Sequence, residues 1–242
     1  MRIPVTARLM SDEVHLLCAP LDTTPVQYGR LEQSLSPDEL ERAGRFRFPK
    51  DRAHFVAAHG ALRHILAGYL ECRPAELRFS YGASGKPALA PGWGADTLRF
   101  NLSHSHGLAL CAVALSREVG VDIEFVRPLL GDSAIPERFF SPAEVLALRA
   151  LPAESQPEAF FNCWTRKEAY IKARGEGLSI PLDSFEVSLA PGEPAALVKA
   201  PDRSRWSLRA LVPAPGYVAA VVAEGDDWRL RLFNWPGGRG PP

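Results

Sequence analysis

From Val119 to Val126 the chain alternates, with Val121, Ile123 and Phe125 on one face and Asp122 and Glu124 on the other. That pattern predicts a strand with one apolar and one acidic face. Apolar runs rich in β-branched and aromatic residues predict further strands at Leu77–Tyr81, Leu98–Ser103, Leu108–Leu115, Ser184–Leu189, Trp206–Leu211 and Tyr217–Ala223. Longer apolar-rich stretches predict helices over Asp51–Tyr69 and Glu158–Ala173. Two shorter helices announce their starts. Ser36 and Ser141 are each followed by Pro and then by Glu three residues on, which makes an N-cap, a first-turn proline and a capping box.

The two capping boxes suggest a duplicated unit, and so does the likeness of His106–Ala114 to Pro215–Ala223 at a nearly equal offset. Coincidence between two common helix starts is the plainer alternative. In each half a short capped helix leads to a long helix and then to strands at hairpin-like spacing. The expected class is α+β: two similar pseudo-duplicated halves, 1–118 and 119–242, each a mainly antiparallel sheet packed with helices. The tail from Asn234 onward reads as turn and coil, frayed at its end.

Composition narrows the field. Of 242 residues, 46% are hydrophobic and 23% charged, with 28 basic and 28 acidic side chains. Zero formal charge argues against a general nucleic-acid or anionic-membrane binder. The start lacks a signal-peptide core, and the most apolar run, Tyr217–Ala223, is too short to span a bilayer. Cys18, Cys72, Cys111 and Cys163 lack metal-ligand spacing and read as buried thiols of a cytoplasmic protein.

Candidate chemistry lies in five stretches. Asp122 and Glu124 repel one another unless a cation or proton settles them; hard oxygen ligands suit Mg²⁺, and a solvated edge strand is the alternative. On the second long helix Glu168 and Lys172 share a face, either as a surface ion pair or as a third carboxylate and a phosphate-directed cation. Asn101, Ser103 and His104 converge at a strand end, and Lys86 sits on a tight Gly-Pro loop. Arg42, Arg45, Arg47, Lys50 and Arg52 interleave with Phe46, Phe48 and Phe55. The phenylalanines fit a buried helix face better than base stacking, which leaves the cations for phosphate.

Together "GVDIE" (Gly120–Glu124), "WTRKEAYIKARGEGL" (Trp164–Leu178), "FNLSHS" (Phe100–Ser105), "GKP" (Gly85–Pro87) and the run Ser36–Arg52 resemble the 4′-phosphopantetheinyl transferases. The likeness is to the larger, duplicated group that activates peptide and polyketide synthases. The resemblance implies two α+β halves with the active site between them. The N-terminal half would help bind nucleotide, and the C-terminal half would carry metal and catalytic residues. It implies transfer of the phosphopantetheine arm of coenzyme A to a serine of an apo acyl or peptidyl carrier protein, releasing 3′,5′-ADP. Asp122, Glu124 and Glu168 would hold Mg²⁺ (or Mn²⁺), Glu168 would be the base, and Lys172 would stabilise charge on the phosphate. Arg42, Arg45, His54, Lys86, Ser103, His104 and Lys172 would bind coenzyme A. His54 departs from the family, many members of which carry arginine there. Arg127–Pro142, with Leu129, Leu130, Ile135, Phe139 and Phe140, is a candidate carrier-docking loop, though the phenylalanines fit a core equally well. A monomer is expected, with no nucleic-acid or membrane partner.

Overall fold

The structure, a computed structural model, describes residues 8–82, 85–94, 97–128 and 134–235, the side chain of 178 aside. The elements in chain order are β1 (Glu13–Pro20), α1 (Pro25–Glu32), α2 (Pro37–Gly44), α3 (Pro49–Leu70), β2 (Phe79–Tyr81) and β3 (Pro87–Leu89). Then come β4 (Leu98–Ser105), β5 (Leu108–Leu115), β6 (Val119–Phe125), α4 (Ile135–Phe139), α5 (Pro142–Ala150) and α6 (Gln156–Arg174). The chain continues through β7 (Glu186–Val187), β8 (Leu197–Lys199), β9 (Trp206–Leu211), β10 (Tyr217–Glu224) and β11 (Arg229–Asn234).

Strand alternation explains the layering. A four-stranded sheet runs β11-β1-β5-β4 and a three-stranded one β6-β10-β9. Leu108, Leu110 and Ala112 of β5 share a core with Val121 and Ile123 of β6 and Ala219 and Val221 of β10. The opposite face of β5, through Ala109, Cys111 and Val113, packs with α3 residues such as Val56, Leu62 and Ile65. The opposite face of β10, through Val218, Ala220 and Val222, packs with Phe161, Ala169 and Ala173 of α6. The order is helix, sheet, sheet, helix. With both faces buried, β5 and β10 read as continuous apolar runs rather than alternating ones.

The two halves repeat a buried anchor. Ser36 and Ser141 cap α2 and α5 in full capping boxes. In each the box glutamate also grips a cation on the following long helix. Glu39 Oε2 lies 2.6 Å from Arg63 Nε, and Glu144 Oε2 lies 2.7 Å from Lys167 Nζ. Arg63 donates to the carbonyls of Pro74 and Leu77, and Lys167 to those of Leu182 and Phe185. Each cation faces an aromatic ring, Phe79 or Phe185. A buried charge is tolerable only with this density of partners.

Several expectations need correction. The strands β1, β3, β8 and β11 lie outside the predicted set, and β11 pairs in parallel with β1 in the otherwise antiparallel first-half sheet. The tail is anchored as far as Trp235, which is buried and whose N–H donates to the Cys18 carbonyl. The strand expected at Leu77–Tyr81 begins at Phe79, after a 3₁₀ turn at Pro74–Glu76. The one expected at Ser184–Leu189 shrinks to β7 behind two 3₁₀ turns. β4 extends past the expected end at Ser103 to Ser105, which places His104 within the strand and the turn at His106 and Gly107. Of the three phenylalanines assigned to a buried helix face only Phe55 is buried; Phe46 and Phe48 precede Pro49 in a turn and are exposed. All four cysteines are free, but Cys18 and Cys72 are half-buried. No described helix is long and apolar enough to cross a membrane.

Candidate active site

The acidic face of β6 is the face that α6 covers. On it, in line with Asp122 and Glu124, Gly120 presses against α6: a Cβ there would stand 2.1 Å from the Ala169 carbonyl oxygen and 2.3 Å from the Ala173 nitrogen. Only glycine permits that approach, and it sets α6 directly over the strand. Beside it runs β4, tied to β6 by side chains. Asn101 Oδ1 accepts from the Val121 N–H at 2.8 Å, Ser103 Oγ donates to Asp122 Oδ1 at 2.7 Å, and Ser105 Oγ donates to Glu124 Oε2 at 2.7 Å. Alternation places Asn101, Ser103 and Ser105 on one face of β4, opposite the carboxylates.

Helix α6 supplies the rest. Lys172 Nζ lies 2.5 Å from Asp122 Oδ1 and 3.3 Å from Ser103 Oγ. Of the two readings of Glu168 and Lys172, the surface ion pair is not the contact made: Lys172 pairs across elements with Asp122. Glu168 has no hydrogen-bond partner among the described residues. Burial raises its pKa, and the Asp122 and Glu124 charges raise it further against the opposing pull of Lys172. Burial likewise raises the pKa of Glu124, helped by Asp122 and opposed by the Ser105 hydrogen bond. Three acids crowd one small volume and repel one another.

A cleft of about 300 Å³ opens here between the halves, lined by Lys86, Asn101, Glu168, Ile171, Lys172 and Gly175 among others. Lys86 reaches across it to Glu118 and to the carbonyls of Val119 and Ala173, and burial lowers its pKa. His104 presents its ring to solvent at the end of β4; protein crowding behind it, with His59, His54 and Lys172 nearby, lowers its pKa. His54 is held by Asp22 at 2.9 Å. Arg42 lies over the Phe55 ring, which stacks on His59. Arg45 turns to Glu41 on the exposed side of α2.

Among the described residues no three His, Cys, Asp or Glu side chains form a ready metal-holding group. The expected set of Asp122, Glu124 and Glu168 is thus not assembled, and Lys172 sits on Asp122. The donor chemistry nevertheless fits a hard divalent cation. Asp122 Oδ2 is buried with no hydrogen-bond partner among the described residues, an orphan that demands a cation or water. Oxygen donors of this kind suit Mg²⁺ or Mn²⁺.

Sequence reasoning missed Ser105, Asp22, His59 and Glu118. For Ser105 the signal was present, since it follows Ser103 by two on the same strand face. Of the proposed docking loop, Leu129 and Leu130 lie outside the described residues. Phe140 is buried in the second-half core and Phe139 packs on Trp164, which favours the core reading for both.

Comparison with known proteins agrees with this site. Residues 22–116 match the family described as 4′-phosphopantetheinyl transferase, N-terminal, and residues 118–222 match the 4′-phosphopantetheinyl transferase superfamily. The chain is 45% identical, across 96% of its own length and 96% of the other, to 4′-phosphopantetheinyl transferase HetI of a Nostoc species. It is 31% identical, across 82% and 86% respectively, to 4′-phosphopantetheinyl transferase Sfp of Bacillus subtilis. With its two halves, its interposed cleft and this likeness along nearly its whole length, the chain belongs to the 4′-phosphopantetheinyl transferase superfamily and is an enzyme of that class.

Proposed function

We propose that the chain moves the 4′-phosphopantetheine arm of coenzyme A onto a serine hydroxyl of an apo carrier protein, with 3′,5′-ADP leaving. The supporting observation is that Glu168 and Lys172 line a cleft between the halves, with Lys172 paired to Asp122 and the charges of Asp122 and Glu124 acting on Glu168. Asp122 and Glu124 from β6, with Glu168 from α6, would hold a divalent cation. Bound there, such an ion neutralises the pyrophosphate and orients the displacement. Glu168 has no hydrogen-bond partner among the described residues and burial raises its pKa, which suits a group that takes the serine proton. Lys172, half-exposed on the cleft wall, supplies positive charge to the phosphate under attack. Lys86, Ser103, His104, His54 and Arg42 would receive the nucleotide, with Arg45 at the rim.

The serving of fatty-acid, polyketide or nonribosomal peptide synthases is part of the same proposal. The test is the intact mass of an apo carrier after incubation with the protein, coenzyme A and Mg²⁺, beside chelated and Glu124→Ala samples. Gain of one phosphopantetheine, lost in both controls, is expected. Binding of coenzyme A with no transfer to any of the three carrier types would overturn it.

A further inference from the structure

We propose that Ser105 is a positioning residue that aims the Glu124 carboxylate. The inference rests on the divalent-cation reading of Asp122, Glu124 and Glu168. Ser105 is buried at the end of β4, and its hydroxyl has three neighbours. Glu124 Oε2 stands at 2.7 Å, the Phe125 N–H at 3.2 Å and His106 Nδ1 at 3.3 Å. The Phe125 N–H is a fixed donor and claims a lone pair of Oγ. The hydroxyl proton is left to choose between a carboxylate and a ring nitrogen. The carboxylate is charged and closer by 0.6 Å, so it takes the proton.

Glu124 Oε2 is thereby tethered to the backbone of its own strand through a side chain of the neighbouring one. Rotation of Glu124 about its last bonds is restricted and Oε1 is left to face a ligand. Ser103 makes the matching contact one step earlier, on Asp122 Oδ1, but there Lys172 shares the oxygen. At Glu124 Oε2 no described cation comes within hydrogen-bonding distance; Arg127 and Lys172 act on its charge only from further off. Removing the Ser105 hydroxyl frees Glu124 without touching any group that meets substrate.

The test is Mn²⁺ binding to the coenzyme-A-free protein, titrated by electron paramagnetic resonance for wild type, Ser105→Ala, Ser105→Thr and Glu124→Gln. Loss of a group that orients a metal ligand costs about 10–100-fold in affinity. Ser105→Ala is expected to weaken binding by at least about tenfold, and Ser105→Thr, which keeps the hydroxyl, to restore most of it. Unchanged affinity in Ser105→Ala, or equal loss in the alanine and threonine variants, would overturn the role of the hydroxyl. If Glu124→Gln binds Mn²⁺ as wild type does, the metal reading itself fails; if it alone loses binding, only the Ser105 proposal fails. Should Ser105→Ala not fold, Ser105→Cys takes its place, and wild-type affinity in that weak-donor variant counts against the proposal.

Discussion

Lys172, carried by α6, sits on Asp122 Oδ1, so a divalent ion entering at the open Oδ2 would meet its positive charge. Lys172→Met is therefore expected to tighten Mn²⁺ binding in the absence of coenzyme A by roughly tenfold, about 1.4 kcal/mol, while phosphopantetheinyl transfer falls. Calorimetric titration checks the first and carrier mass the second; an unchanged Mn²⁺ affinity would mean that the lysine does not compete. Gly120→Ala tests the strand–helix contact. The added methyl meets backbone, not a flexible side chain, so α6 has to move, at a cost of about 1–3 kcal/mol in urea unfolding. At this scale the sequence was most informative where local geometry decides. Alternation alone set Asp122 and Glu124 on one face. It gave no hint that Lys172 would leave Glu168 for Asp122, because that choice depends on how α6 lies over β6.

Among the elements, the repeated anchor is the part whose stability can be read. Burial alone would raise the Glu39 pKa, but His59, the Ser36 N–H and Arg63 outweigh it and hold the carboxyl at about 2, against an ordinary value of 4.5. A depressed folded-state pKa means that this stabilisation is complete above the ordinary value and is lost as pH falls from about 4.5 towards 2. Up to about 3 kcal/mol is at stake. Acid unfolding followed by circular dichroism should show Glu39→Gln less stable at neutral pH and flatter across that window. In the second half, Lys167→Met leaves Glu144 buried and unpaired, and is expected to cost about 3–5 kcal/mol. A paired Glu144→Gln, Lys167→Met variant should recover part of that in the same denaturation experiment. Both capping boxes were visible in the sequence as Ser, Pro and Glu at fixed spacing. Their partners Arg63 and Lys167 were not, since each lies a whole helix away and looks like any other helical cation.

For the whole molecule, two similar units were legible and their sheet edge was not. Long helices and apolar strands repeat with enough regularity to show the duplication. β11 carries alternating arginines and leucines that look like an exposed segment, and its partner β1 lies at the other end of the chain. A parallel pairing over that separation leaves no local trace. Trp235 secures the join by packing into the first-half core. Trp235→Ala should lower the unfolding free energy by about 3 kcal/mol, measured by urea titration with fluorescence of the remaining tryptophans.

This join also orders events in time. During synthesis β1, β4 and β5 leave the ribosome long before Arg229–Asn234 does, so the first sheet waits with one edge of β1 unpaired while the second half is made. An uncovered edge is a template for a neighbouring nascent chain. Translation that stalls before β11 would yield a chain that already carries Asp122, Glu124, Glu168 and Lys172 but has an open seam, prone to self-association.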